Sequence, residues 1–306
     1  MQTVYGLDSI VTHWPATTVC IGVFDGVHLG HQAVIGECVR WAKAAGRPSV
    51  AITFDRHPMS VLAPERCPKY VLAPDASLRK MHTLGLDAVI VTPFDQTFSE
   101  ISAEDFYRNY LLGVLHAEEM VVGHDFAFGH SRRGTPEWLS SRITTHVHPP
   151  LELDGIRISS SAIRRAVADG RVAEAARMLG GDYSLAGIVV RGQRLGSEIG
   201  VPTANLEPLF DQVVPSAGIY AGRAHVEGRS HAAAISVGYR PSVPGAGFAI
   251  EAHLMDFAGG ELYGRSLSLD FVERQQDETA FESMDKLTQQ IRLDIEDARK
   301  ALIKHG

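Results

Sequence analysis

Two histidines with a short spacing are the residues of this sequence best suited to chemistry. His28 and His31 lie in GVFDGVHLGH, residues 22–31, between an apolar run and a helical pattern. Three residues apart at the start of a helix, the imidazoles can point to one side, and a helix N-terminus favours negative charge. This combination suits a nucleoside triphosphate whose α-phosphorus gains charge during an in-line displacement. The segment therefore predicts the handling of ATP phosphates.

Other residues of this segment are expected to bind the nucleotide. Its glycines permit a tight turn at the strand end and a close approach of the backbone to a ligand. The expected nucleotide-binding residues here are Gly22, Phe24, Asp25, Gly26 and Gly30. A glycine-rich turn with two incidental histidines is the simpler alternative.

Three further segments carry polar groups at the ends of predicted strands or helices. ISSSAIR, residues 158–164, places serine hydroxyls at the start of a predicted helix and a guanidinium one turn later, where both can close over phosphates. VVGHDFAFG places Asp125 at a strand end, where a carboxylate can hold magnesium or a hydroxyl. FDRHP places His57 and Pro58 at another strand end. Taken alone, the first is also compatible with a serine-capped helix and the second with an Asx turn.

The second half of the chain contains two more candidates. VRGQRLGSEIGVPTANL, residues 190–206, combines a glycine-rich turn with Thr203 and Asn205, whose oxygens suit magnesium and phosphate. Glu251 lies within FAIEAHLMDF. Taken alone, the first segment also fits a hairpin, and a single glutamate on a strand is more often solvated or paired.

The pattern of elements positions these groups. The first half alternates apolar strand-like runs (18–24, 48–54, 87–94, 118–126) with helical patterns (31–46, 77–85, 102–115, with Ser102 as N-cap). Such alternation predicts a parallel sheet with helices on both faces, with ligands at the carboxyl ends of the strands. A helical pair (159–181) follows. Short apolar runs separated by glycines then favour an antiparallel barrel or sandwich, before a final helix from about 279 to 303.

Length, charge and cysteine content indicate which classes of protein this chain can belong to. The 306 residues suit two domains, which we place at 1–182 and 183–306. The net charge of -7 argues against a broad nucleic-acid surface, although it leaves room for small anionic substrates. Three cysteines without CxxC spacing predict neither a disulfide framework nor a zinc site. The absence of a signal-like N-terminus and of a long apolar stretch predicts no membrane association and a cytoplasmic location.

The motifs together resemble a known family. HxGH after a first strand resembles the nucleotidyltransferase superfamily. ITFDRHP, VVGHDFAFGHSRRG, ISSSAIR and GVPTANL follow in an order that resembles the bifunctional bacterial riboflavin kinase / FAD synthetase family over nearly the whole chain. The resemblance implies a Rossmann-like α/β nucleotidyltransferase domain, followed by an antiparallel β-barrel riboflavin-kinase-like domain with a C-terminal helix.

The resemblance also implies roles for individual residues. Glu251 would take the proton from the 5′-hydroxyl of riboflavin as it attacks the γ-phosphate of ATP. The implied catalytic residues are His28, His31, Arg164 and Glu251. The implied further nucleotide contacts are Ser159, Ser160, Gly192 and Gly196, and the implied flavin contacts are His57, Pro58, Asp125 and Phe126. Thr203 and Asn205 would hold the magnesium nucleotide.

Several positions depart from the family pattern. Ser197 and Gln276 replace arginines, and this exchange removes a fixed charge and a bidentate donor. Arg56 replaces a proline and Ala127 an arginine in the first half. The remaining departures, all in or near the second half, are Ser236-Val237-Gly238, Pro241-Ser242-Val243 and the linker LGGDY at 179–183.

The expected function is FAD biosynthesis with ATP, flavin and magnesium. One half would join FMN to ATP, giving FAD and pyrophosphate, and the other would phosphorylate riboflavin to FMN. The departures leave two alternatives open: a divergent paralogue with one active half or a changed flavin or nucleotide, and a non-catalytic flavin-binding regulatory protein. The sequence does not fix the oligomeric state.

Overall fold

The structure, a computed structural model, describes residues 2–10, 14–192, 200–239, 247–279 and 281–305. The chain divides into two compact units. The first comprises Met1–Pro68 and Pro74–Ser159, and the second comprises Lys69–Ala73 and Ser160–Gly306. The domain boundary at residue 182 stays a prediction, and the helix Val172–Leu179, just before it, packs with strands of the second unit.

A six-stranded parallel sheet forms the centre of the first unit. Its strands are β1 Gln2–Tyr5, β2 Thr17–Ile21, β3 Ser49–Phe54, β4 Ala88–Thr92, β5 Ala117–Gly123 and β6 Thr144–His148. They lie in the order β1-β4-β3-β2-β5-β6, and every neighbouring pair is parallel. The carboxyl ends of β3, β2 and β5 therefore lie side by side at one edge, where ligands of such sheets bind.

Helices cover both faces of this sheet, as predicted. Alternate strand residues enter two separate buried clusters, with Val19 and Ile21 in one and Cys20 in the other. The helices are α1 Leu29–Ala45, α2 Met59–Leu62, α3 Pro74–His82, α4 Gln96–Ser99, α5 Ala103–Asp105 and α6 Pro136–Ser140. Helices α1 and α3 contribute to the cluster of Cys20, and α6 contributes to the other.

The helix predicted over 102–115 has two parts. Ser102 caps it as expected, because its hydroxyl accepts the N–H of Asp105. After α5, the segment Phe106–Leu112 is π-helical, and the N–H groups of Gly113 and Leu115 bond to carbonyls five residues back.

Short elements complete the first unit. Strands β7 Glu152–Leu153 and β8 Ile156–Arg157 form a hairpin with a two-residue turn. The 3₁₀ turns are Leu7–Ser9, Asp25–Val27, Pro64–Arg66 and His130–Arg132.

The second unit is a closed antiparallel barrel with helices. Two helices, α7 Ser160–Ala168 and α8 Val172–Leu179, precede it, with the break at Gly170 (φ +76°). The barrel strands are β9 Tyr183–Val190, β10 Ala204–Pro208, β11 Gly218–Val226, β12 Arg229–Gly238, β13 Ala249–Leu254 and β14 Ser266–Gln276, in the order β10-β13-β12-β11-β14-β9. The final helix, α9 Met284–Lys304, packs Ala298 and Leu302 against the barrel. The predicted fold class is thereby confirmed.

A short strap from earlier in the chain joins the second unit. In Lys69–Ala73, the N–H of Tyr70 bonds to the carbonyl of Asp211 at 2.8 Å, and the carbonyl of Tyr70 accepts the N–H of Val213 at 2.9 Å. No helix among the described residues is long and apolar enough to cross a membrane.

Candidate active sites

The turn between β2 and α1 has an unusual backbone. Phe24 (φ +49°), Gly26 (φ +80°) and Val27 (φ +41°) all have positive φ. Glycine adopts this region without cost, whereas a β-branched valine is strained there. The turn ends at His28, which is the N-cap of α1. The local strain is concentrated where the sequence predicts phosphate chemistry, as is common at functional sites.

His28 lies directly over the start of α1. It is 5% exposed, and its Nδ1 accepts the backbone N–H of His31 at 3.3 Å. This acceptor role places the imidazole proton on Nε2, from which it can be donated to a ligand. A Cβ at Gly30 would lie 3.1 Å from Cε1 of His28, so the glycine leaves room for the ring.

His31 stacks on His28 as a neutral imidazole. The ring centroids are 3.7 Å apart with an interplanar angle of 17°. Burial holds the pKa of His31 well below its usual range, and the charged forms of His28 and Lys80 would lower it further. The Nδ1 of His31 is buried without a hydrogen-bond partner. The pair therefore offers donors to an anion without carrying two positive charges of its own.

The strand ends on either side of β2 carry the predicted flavin contacts. After β3, the Nδ1 of His57 accepts the N–H of Met59 at 3.1 Å, and Pro58 begins the turn into α2. After β5, a carboxylate oxygen of Asp125 accepts from Arg157 at 2.6 Å. Burial acts to raise the pKa of Asp125, but the hydrogen bond and charge of Arg157 outweigh it and hold the pKa below its ordinary value.

Two other features of this edge were not evident from the sequence. Arg56, the departure beside His57, forms an ion pair with Asp55 at 2.9 Å. Burial acts to raise the pKa of Asp55, yet the hydrogen bonds from Arg56 and from the N–H of Phe94 hold it below its ordinary value. Phe126 stacks on Phe128 with centroids 5.7 Å apart, so its ring belongs to an aromatic cluster.

The ISSSAIR segment divides between the two compact units. Ser159 is the last residue of the first unit, and Ser160 begins α7 in the second. The guanidinium Nε of Arg164 donates to the carbonyl of Lys69 in the strap at 2.5 Å. The role of these residues in binding phosphates stays a prediction.

In the second unit, strand register gathers the predicted residues on the half-buried face of the barrel wall. Glu251 on β13 lies opposite Asn205 on β10 and opposite Ser236 on β12. Residues directly opposite each other share one face of a sheet. We call these three residues the carboxylate row. The hydroxyl of Thr203 donates to Glu251 at 3.3 Å, which adds a fourth oxygen group to the same place.

A glycine makes room beside this row. A Cβ at Gly192 would lie 2.6 Å from Cγ of Asn205, so any side chain there would displace the amide. Gln276 donates to Asp294 of α9 at 2.7 Å. Gly196, Ser197 and the Pro241-Ser242-Val243 segment lie outside the described residues.

The donor sets of the two units suit different tasks. The turn at His28 presents N–H groups, which bind anions. The carboxylate row presents oxygens, which bind hard cations. Among the described residues, no group of three or more His, Cys, Asp or Glu side chains could hold a metal ion. A cation at the row would therefore need phosphate oxygens or water to complete its coordination, as magnesium bound with a nucleotide does.

Comparisons with known proteins agree with this division. A family model described as FAD synthetase matches residues 11–162, and one described as riboflavin kinase matches residues 179–302. The solved structure of a protein named macrolide-efflux protein, from Streptococcus pneumoniae, is 31% identical and has a TM-score of 0.86. The comparison covers 98% of this chain and 99% of that one.

Curated relatives match along the whole length. The protein from Pseudomonas fluorescens named bifunctional riboflavin kinase/FMN adenylyltransferase is 35% identical over 98% of this chain and 97% of its own. Proteins of the same name from Listeria monocytogenes and Bacillus subtilis are each 33% identical, over 97% and 92% of this chain and 99% and 91% of their own. The chain therefore belongs to the family of bifunctional riboflavin kinase/FMN adenylyltransferases.

Proposed function

We propose that this chain makes FAD from riboflavin in two ATP-dependent transfers, each performed by the half whose site is built for it. As a member of its family, the chain is an enzyme of FAD biosynthesis with flavin and ATP as substrates. The observation that carries the residue assignments is the pairing of two different donor sets: stacked imidazoles at a helix start and oxygens across barrel strands.

The first site performs the adenylyl transfer. A phosphate oxygen of FMN attacks the α-phosphorus of ATP, and the bond from that phosphorus to the bridging oxygen breaks as pyrophosphate leaves. The Nε2–H of His28 and the N-terminus of α1 stabilise the charge that develops on the phosphates. No protein nucleophile is needed, so catalysis consists of positioning and charge stabilisation. The resemblance to the family assigns Ser159, Ser160 and Arg164 to the phosphates of the nucleotide.

Flavin binds along the neighbouring strand ends. His57 and Pro58, which follow β3, contact the phosphate end of FMN. Asp125 and Phe126, which follow β5 on the other side of β2, contact the flavin from that side. The ion pair with Arg157 keeps Asp125 charged and fixes its orientation.

The second site performs the phosphorylation. Glu251 accepts the proton of the 5′-hydroxyl as that oxygen attacks the γ-phosphorus, and ADP leaves. Thr203 and Asn205 would hold Mg²⁺ through their oxygens, and Gly192 would let the backbone approach the nucleotide. Bound magnesium supplies neutralisation of phosphate charge.

The two alternative interpretations find no support among the relatives. The names of the relatives state both activities, and both family models match the chain. A changed flavin or nucleotide preference would have to come from the departures, which include Arg56 and Ala127 in the first half and Ser236 and Gln276 in the second. A cytoplasmic location stays a prediction.

Two variants test the residue assignments by separating the halves. With ATP and magnesium, Glu251→Gln is expected to leave riboflavin unphosphorylated while still converting FMN to FAD at the unaltered rate. His28→Asn is expected to form FMN from riboflavin but to lose at least a hundredfold of FAD formation, because the shorter side chain cannot place a donor where the Nε2–H of the imidazole lies. Chromatography of the flavins measures both. Normal FAD formation by His28→Asn, or normal FMN formation by Glu251→Gln, would refute the corresponding assignment.

A further inference from the structure

Helix α3 presents two polar residues beside the turn at His28. Ser77 and Lys80 are three residues apart on α3, so they lie on one face of that helix. The helix contacts the Asp25–Val27 turn. The next residue, Met81, is buried in the same cluster as Phe24 and Val27, which fixes α3 against the turn.

Two polar atoms in this region have unmet hydrogen-bonding capacity. The Nδ1 of His31 and the Oγ of Ser77 are both buried without a hydrogen-bond partner among the described residues. Buried polar groups are normally paired, and each exception requires an explanation. One explanation is a polar ligand that enters between them.

Lys80 adds a cation to this place. Its side chain is half-buried, and its charge lies close enough to lower the pKa of His31. Burial lowers the pKa of Lys80 itself to about 8. A cation held in a desolvated position gains most from an anionic ligand, since a bound anion favours its charged form.

We propose that Ser77 and Lys80 bind the terminal phosphates of ATP, and the pyrophosphate that leaves, during the adenylyl transfer. We call these two residues the phosphate face of α3. The inference rests on the proposed function of the turn at His28. The α-phosphorus lies at the histidines, where the bond to FMN forms, and the departing electron pair goes to the pyrophosphate oxygen, whose charge the ammonium of Lys80 neutralises.

The test uses substitutions of Lys80 in the full chain. Lys80→Met keeps the length of the side chain and removes the charge, and Lys80→Arg restores a cation. Lys43→Met, on the exposed C-terminal turn of α1, is the matched control. The measurements are the KM of ATP in FAD formation and the KM of inorganic pyrophosphate in the reverse reaction, in which FAD and pyrophosphate give ATP and FMN.

Lys80→Met is expected to raise both KM values about tenfold to a hundredfold, the range for one lost charge-assisted hydrogen bond. The KM of FMN should stay unchanged, and Lys80→Arg should recover most of the loss. The melting temperature of the variant should stay close to that of the unmodified chain, because methionine keeps the packing of the half-buried lysine stem. A purely structural role for Lys80 would instead lower the melting temperature and leave the two KM values unaltered.

The result that overturns the inference is an unchanged KM for both ATP and pyrophosphate in Lys80→Met. Failure of the proposed function looks different, because then the unmodified protein forms no FAD from FMN and ATP. Ser77→Ala provides a second measurement: an increase in the KM of pyrophosphate of a few-fold is expected, and no increase would remove Ser77 from the site.

Discussion

At the scale of single residues, the imidazole of His28 keeps its position because Gly30 leaves space for it. The substitution Gly30→Ala would place a Cβ 3.1 Å from the ring and push it away from the start of α1. We expect FAD formation from FMN to fall at least tenfold, while FMN formation from riboflavin stays unchanged. The matched control is Gly36→Ala on the same helix, where an added Cβ meets no atom within 4 Å.

The control should keep full activity and gain about 0.5–1 kcal/mol of stability from the higher helix propensity of alanine. Equal FAD formation by Gly30→Ala and Gly36→Ala would show that the position of the His28 ring is not important for the transfer.

The low pKa of His31 predicts a dependence of stability on pH. An unfolded chain protonates this histidine below about pH 6.5, whereas burial keeps it neutral in the folded protein. The unfolded state then binds more protons, so stability falls as the pH drops below about 6.5. The variant His31→Gln should lose this contribution.

Urea unfolding followed by tryptophan fluorescence measures this effect in the first unit, because all three tryptophans, Trp14, Trp41 and Trp138, lie there. Between pH 7.5 and 5.5, the free energy of unfolding should fall less for His31→Gln than for the unmodified chain, by about 1 kcal/mol. The same fall in both proteins would contradict a depressed pKa for His31.

Which single residues could be found from sequence depended on the distance along the chain between partners. His28 and His31 are three residues apart, so the pattern itself reveals them. Arg157 and Lys80 act on Asp125 and His31, partners 32 and 49 positions away, as their numbers show. Only the fold brings such residues together. A lysine or arginine in a segment with a polar, surface-like sequence does not indicate which distant residue it will contact.

At the scale of elements, the register of β10 against β13 creates the carboxylate row. Gly192 leaves space for the Asn205 side chain in this row, because any Cβ at position 192 would collide with the amide of Asn205. The variant Gly192→Ala is therefore expected to lower FMN formation from riboflavin at least tenfold and to leave FAD formation from FMN intact. Gly181→Ala, in open space before β9, is the control.

Flavin chromatography checks both reactions in one assay. Full riboflavin phosphorylation by Gly192→Ala would mean that the amide of Asn205 does not contribute to the second site.

The elements that the sequence predicted are the strongly apolar ones. The four central strands, α1 and the barrel strands other than β10 bury alternate or continuous apolar residues, and these patterns are distinctive. The short strand β10 begins in the segment that the sequence predicted as a glycine-rich turn. Strands β1 and β6 lie at the two edges of the sheet, where fewer side chains are buried, and the sequence pattern did not reveal them. The π-helical segment was also not predicted, because the apolar pattern of 102–115 fits a helix without showing whether its N–H groups bond to carbonyls four or five residues back.

At the scale of the whole molecule, two sites of different chemistry are built into one chain. The parallel sheet places the N–H donors of the proposed first site at strand ends, and the barrel wall places the oxygens of the proposed second site across neighbouring strands. The division into an α/β half and a barrel half was predictable from the change in spacing of apolar runs. The number of active halves was not predictable, because single substitutions such as Gln276 and Ser236 can change activity without changing the fold.

Two of these departures have a structural place. Ser236 keeps a hydroxyl in the carboxylate row opposite Glu251, and Gln276 bonds to Asp294 of the final helix. Each position therefore keeps a polar side chain. Membership of the family and the intact set of Thr203, Asn205 and Glu251 together support a working second half.

The most direct test of the account is the fate of riboflavin when it is incubated with the purified chain, ATP and magnesium. If both halves are active, chromatography over time shows FMN first and FAD afterwards, with pyrophosphate released only as FAD forms. Riboflavin that stays unchanged, while added FMN is still converted to FAD, would contradict the claim that both halves are active. If neither flavin is converted, the assignment of flavin to this chain is wrong.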